Sequence, residues 1–106
     1  MALHHLQPGE RFQLSPARSP GDGKTMALVK TDRFEAVKLV LHARDEISGH
    51  SVPGYATLLC LEGAVTLRLD EDVRLDAGDW LYLDRGQEHS LYAIEDSSLL
   101  LTILFD

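Results

Sequence analysis

The sequence predicts an all-β protein, a barrel or sandwich of short strands. Three observations carry this. Apolar and polar residues alternate with a period of two, as where Val65, Leu67 and Leu69 are set against Thr66, Arg68 and Asp70. Turn signals built from Gly, Asp and Pro recur at close spacing along the chain. No window carries the apolar period of a good amphipathic helix.

Residues 1–24 hold Pro8, Pro16, Pro20, Gly9, Gly21 and Gly23 and read as an extended N-terminal arm, with Phe12 and Leu14 available to dock on the body. Residues 25–106 read as one barrel domain. Its first strand is Thr25 to Lys30. Phe34 to His42 follows, with Val37, Leu39 and Leu41 on one face and Lys38, Val40 and His42 on the other. Ile47 to Pro53 is a loop or short strand. Ala56 to Leu61 and Ala64 to Leu69 read as a hairpin turning at Glu62-Gly63, and Asp70-Glu71-Asp72 turns the chain again. Val73 to Leu75, Trp80 to Leu83, Ser90 to Ile94 and Leu99 to Phe105 complete the set.

Length and composition bound the rest. A chain of 106 residues makes one domain with one modest core, and a hydrophobic content of 44% supports that core. The net charge is −7, from 17 acidic and 10 basic residues without a Lys/Arg cluster. Nucleic acid and anionic membrane are therefore excluded as expected partners. Cys60 is the single cysteine, so no internal disulfide argues for an oxidising compartment. Its apolar neighbours make it buried core filler. The start of the chain lacks the pattern of a signal peptide, and no apolar run approaches a membrane helix. The expected location is the cytoplasm.

The stretch Gly78 to His89, G-D-W-L-Y-L-D-R-G-Q-E-H, is the most informative. Gly78 punctuates a turn, Trp80 to Leu83 form a strand, and Asp84-Arg85-Gly86 reverses the chain. His89 opens the next strand, which places an imidazole at the mouth of the β structure, where ligand sites commonly lie. This spacing resembles the second motif of the cupin superfamily. Gly78, Gly86 and His89 stand at matching places, with Asp84 for the motif's proline and Ala93 for its asparagine. The first motif resembles H-S-V-P-G-Y-A-T-L-L-C-L-E-G, where His50 holds the first histidine position and Gly63 the closing glycine. Val52 stands at the second histidine position and Ala56 at the glutamate position.

The resemblance spans about Val29 to Phe105 and implies a double-stranded β-helix, a jelly-roll-like cupin barrel. It also implies that His50 and His89 point into the barrel as metal ligands. Two imidazoles alone do not hold a metal tightly, because most sites use three or four protein ligands. A third ligand would have to depart from the pattern, and Tyr55, Glu88, Glu46 and His42 are the residues in question. The cofactor the pattern allows is thus a weakly bound divalent ion (Fe, Mn, Ni or Zn) with partial occupancy. The pocket expected from the motif spacing is apolar, with His50, His89, Tyr55 and Tyr92 around it. The resemblance, and the open edge strands of a small sandwich, further imply a homodimer.

Other motifs weigh less. Gly21 to Thr25, G-D-G-K-T, ends like a phosphate-binding loop, but Arg18 stands where its first glycine belongs and a strand follows. Trp80 and Tyr82 share one strand face, and fit a core or dimer interface better than a pocket. No serine is spaced as a nucleophile beside a histidine. The function expected is binding of a small organic ligand in the barrel, one that is partly apolar and bears a hydrogen-bond acceptor. The alternative is a metal-dependent enzyme, dioxygenase- or isomerase-like, using His50 and His89.

Overall fold

The structure is a computed structural model that describes residues 5–14 and 24–105, and for Gly49 and His50 it describes the backbone alone. Among the described residues there is no helix, and none is therefore long and apolar enough to cross a membrane. The described residues form nine strands in chain order: β1 (Met26–Lys30), β2 (Phe34–Leu41), β3 (Glu46–His50), β4 (Tyr55–Glu62), β5 (Ala64–Arg68), β6 (Asp72–Asp76), β7 (Trp80–Leu83), β8 (His89–Ala93) and β9 (Ser97–Leu104). They form a five-stranded sheet, β1-β2-β9-β4-β7, and a four-stranded sheet, β3-β8-β5-β6. All pairings are antiparallel.

The two sheets close face to face because the period-two pattern gives each an apolar side. Leu39 and Leu41, Ala56, Leu58 and Cys60, Leu81 and Leu83, and Leu99, Leu101 and Ile103 point inward from the larger sheet. Ile47, Val65 and Leu67, Leu75, and Leu91 and Ala93 meet them from the smaller one. The register agrees with this parity: Leu58 stands opposite both Leu81 and Leu101, and Leu67 opposite Leu91.

The expected hairpin at Glu62-Gly63 is not one. β4 lies in the five-stranded sheet and β5 in the four-stranded sheet, so Gly63 carries the chain across the barrel wall. Alternating side chains look the same in a hairpin and at such a corner, because both keep the inward face. Gly63 sits at φ +89, and a Cβ there would overlap the Asp96 carbonyl and the Ser97 hydroxyl. Only glycine fits that approach. The turn after β7 is likewise a passage between sheets, since β7 pairs with β4 and β8 pairs with β3 and β5. The stretch read as loop or short strand from Ile47 begins with strand β3.

Part of the N-terminal arm is described. The Leu6 N–H donates to the Leu28 carbonyl at 2.8 Å, which ties the arm to β1. Phe12 is exposed and Leu14 half-buried. Residues 15–23, and with them the first three residues of the Gly21 to Thr25 motif, lie outside the described residues. Lys38 is 1% exposed although it points to the outer side of the five-stranded sheet, opposite Met26 and Leu100.

Candidate functional site

The site is organised by the turn that precedes β8. The Gln87 N–H closes the turn on the Asp84 carbonyl at 3.1 Å, and the Gln87 side-chain oxygen accepts the Asp84 N–H at 2.9 Å. Gly86 takes φ +69 there, a left-handed conformation that glycine adopts at no steric cost. Its N–H reaches the Val52 carbonyl at 3.3 Å, so the turn is tied to the segment between β3 and β4. The Arg85 guanidinium lies over the Tyr55 ring, 5.2 Å from its centre, and ties it to the start of β4.

His89 leaves this turn with the same parity as Leu91 and Ala93, and so faces the barrel interior. It lines a cavity of about 40 Å³ with Leu39, Ile47, Leu58, Leu67, Leu83, Leu91 and Leu101. Nδ1 stands 3.2 Å from the Gln87 carbonyl oxygen. A carbonyl only accepts, so Nδ1 carries a proton in that contact, and in the neutral ring the lone pair is on Nε2. On its other side His89 lines an open cleft of about 350 Å³ with Arg68, Leu69, Asp70, Glu88 and Ser90. The imidazole thus stands between a closed apolar space and an open polar one.

The other expected site residues are placed as follows. His50 on β3 is the register partner of His89 on β8. Tyr92 shows its ring to the outer face of the four-stranded sheet, where Arg68 lies 5.5 Å from the ring centre and Glu46 lies 3.7 Å from Arg68. Tyr55 also points outward, away from the inward-facing Ala56 and Leu58. Neither tyrosine is among the residues lining the cavity. Trp80 and Tyr82 are 59% and 61% exposed on the outer face of the five-stranded sheet.

Val52 and Ala56, at the remaining ligand places of the family motif, are buried members of the apolar core. His42 is exposed in the turn after β2, and Glu46 is engaged with Arg68. Among the described residues no three His, Cys, Asp or Glu side chains are grouped to hold a metal ion. The described donor set therefore does not fit a centre of three or four protein ligands. Arg68 and Asp70 escaped the sequence reading as cleft residues. Their signal is the register of β5 against β8, which ends at Arg68 opposite Ser90 and is not visible in the sequence.

No family model matches this sequence, and no curated protein matches it. Solved structures do match. A cupin superfamily protein from Desulfitobacterium hafniense DCB-2 aligns over 100% of both chains with a TM-score of 0.81 at 19% identity. A protein of unknown function from Streptococcus pyogenes aligns over 100% of this chain and 96% of its own, with a TM-score of 0.78 at 21% identity. An RmlC-like cupin from Desulfovibrio desulfuricans covers 98% and 96%, with a TM-score of 0.70 at 22% identity. Two antiparallel sheets closed over one core, with β4 and β8 each entered by a passage from the opposite sheet, give this chain the fold of the cupin superfamily, a double-stranded β-helix.

Proposed function

We propose that this protein is a binding module for a small, neutral, partly apolar molecule held at His89. The observation that carries this reading is that His89 is the one polar side chain among the eight residues lining the internal cavity. A polar group in an otherwise apolar wall fixes the orientation of whatever meets it. The cavity is small. At about 10–15 Å³ for one water by this measure, it has room for a short alkyl group only. The polar part of the ligand then lies in the cleft, against His89 and Ser90. Asp70 and Glu88 outnumber Arg68 there, which favours a neutral hydrogen-bonding group over a carboxylate.

The test is a protein-observed NMR titration with short alcohols, cyclic ketones and lactams. Shifts confined to residues around His89, Leu83 and Leu67, and weakened at least roughly tenfold by His89→Ala, support the reading. Shifts that are absent across the panel, or that fall elsewhere and ignore the substitution, overturn it.

A second reading has one observation in its favour, the pairing of His50 with His89 across adjacent strands. Two imidazoles on neighbouring strands can hold a divalent ion weakly, the remaining positions being taken by water or substrate. That ion would supply Lewis-acid chemistry to a bound carbonyl or hydroxyl, as a metal-dependent enzyme requires.

A further inference from the structure

Among the described residues, two polar side chains outside the barrel are buried without a partner. Lys38 on β2 is 1% exposed and Ser98 on β9 is 3% exposed. No hydrogen bond reaches the Ser98 Oγ, and among the described residues nothing hydrogen-bonds or ion-pairs with the Lys38 ammonium. Both residues face the outer side of the five-stranded sheet, since their chain neighbours Leu39 and Leu99 point inward. Register brings them together: Lys38 stands opposite Leu100 and Ser98 opposite Val40, so the two are diagonal on one face. Diagonal positions lie about 7–8 Å apart, within reach of a long side chain. Around them stand Met26, opposite Lys38, and Val40 and Leu100. The nearest carboxylate by register is Glu62, opposite Ser98, and it is exposed. A buried ammonium without a counter-charge and a buried hydroxyl without a partner are each unfavourable. Apolar side chains at both places would suit this face better as structure alone.

We propose that Lys38 and Ser98 form a binding site for the carboxylate of a short aliphatic acid, the ammonium donating to one oxygen and the hydroxyl to the other. Three arguments select this ligand. The first is the donor count. An ammonium has three donors and no acceptor, and the serine hydroxyl adds a further donor. β2 and β9 each lie between two other strands, so their backbone groups are taken by the ladders. What is missing is an acceptor. The second is charge. One negative charge balances the single buried cation, and a dianion such as sulfate would leave an excess charge in an apolar setting. The third is the surroundings. Met26, Val40 and Leu100 suit a short alkyl chain. Val40 is half-buried, and Thr25 and Glu62, which flank Val40 and Ser98 across the sheet, are exposed. The acid therefore approaches from this end of the sheet, towards which the flexible four-carbon stem of Lys38 can extend. This inference does not depend on the ligand reading at His89, because that imidazole faces the barrel interior.

A protein-observed NMR titration with butyrate tests it, with butyramide as the uncharged match and sulfate as the dianion. Butyrate is expected to bind with a dissociation constant of about 1 mM or below and to shift the amides of Lys38, Val40, Ser98 and Leu100. Butyramide and sulfate bind at least roughly tenfold more weakly. Lys38→Met keeps the apolar stem without the charge and abolishes the shifts. Ser98→Ala weakens butyrate binding roughly fivefold or more, as loss of one hydrogen bond to a charged group requires. Circular dichroism stays unchanged for both variants. Thermal unfolding is the second readout: butyrate raises the melting temperature of the wild type and not that of Lys38→Met. The absence of shifts at these amides, shifts that survive Lys38→Met, or equal binding of butyramide or sulfate overturns the inference. So does a loss of stability in Lys38→Met that vanishes when Glu62→Gln is also present, since the ammonium is then paired with the chain's own carboxylate.

Discussion

His50 stands opposite His89 because the β3–β8 ladder slips by one residue between Ile47 and His50. Ile47 pairs with Leu91, and an unbroken antiparallel register from that pair would bring Gly49, not His50, opposite His89. A bulge of this kind is a local device for re-aiming what a strand presents beside a site.

If the pair binds an ion, it binds as a two-ligand site. Zn²⁺ titrated calorimetrically into the protein is expected to bind weakly, one ion per chain. His50→Ala and His89→Ala each reduce the affinity by roughly tenfold or more, because each removes half of the donor set. Tight binding that is indifferent to both substitutions would place the ion elsewhere and remove the support for the metal reading.

The small cavity makes a prediction about the core. Leu67 is fully buried and lines it, between its register partners Val73 of β6 and Leu91 of β8. Leu67→Ala removes packing and enlarges the void, and is expected to cost about 2–5 kcal/mol in urea unfolding. The same variant should accept a larger apolar probe than the wild type, seen as a gain in melting temperature with toluene. A loss under 1 kcal/mol would mean that the two sheets close over the space, by the order-of-magnitude scale of such deletions.

Much of the fold was legible because burial imposes period two, and Val65 to Leu69 show that alternation directly. Sheet membership was not legible at Gly63. The inward face continues through the corner as it would through a hairpin, and only the closeness of Asp96 and Ser97 distinguishes the two. The site divides in the same way. His89 and Tyr92 are three apart on one strand and must face opposite sides, so the outward position of Tyr92 was readable from parity. Tyr55 was not. The run Ala56 to Leu61 is nearly continuous in apolar residues, and which half faces in depends on the partners of β4 on both sides. The burial of Lys38 follows from neither composition nor parity, because its position on the outer side was readable and its cover was not.

Two glycines with positive φ separate steric need from conformational preference. Gly86 has open space around its Cβ position, so Gly86→Ala should cost only the left-handed penalty, about 1–2 kcal/mol. At Gly63 the Asp96 and Ser97 backbone would have to move. Ser97 is itself engaged, its hydroxyl accepting the Ala64 N–H at 3.0 Å and lying 2.7 Å from the Glu95 carbonyl. Gly63→Ala should therefore be the more destabilising by a further 1–3 kcal/mol or so, since a buried N–H loses its partner. Equal melting temperatures for the two variants would contradict the corner geometry.

Cys60 gives a prediction about alkaline pH. Its side chain is fully buried, with Sγ 3.6 Å from the Glu62 carbonyl oxygen. Burial pushes the thiol's pKa up; hydrogen bonding to the Glu62 backbone opposes this, and the nearby carboxylates Asp76, Asp79 and Glu95 add to the rise. The folded chain therefore holds this proton more tightly than the unfolded chain, whose thiol ionises near pH 8.5. The resulting contribution to stability is fully present below that pH. Above it the unfolded state releases the proton while the folded state keeps it, so stability falls until the folded thiol also ionises. Wild type and Cys60→Ala should differ by a constant from about pH 6 to 8, set by the lost packing. Above about pH 9 the wild type should lose stability faster, by up to about 1.4 kcal/mol per pH unit, the limit for one proton. Urea unfolding of both proteins across this range measures it. Native Cys60 should also react slowly with a thiol reagent and quickly once urea opens the barrel, because the nucleophile is the thiolate. Parallel stability curves up to pH 10 together with rapid native labelling would show that the thiol is neither buried nor held protonated.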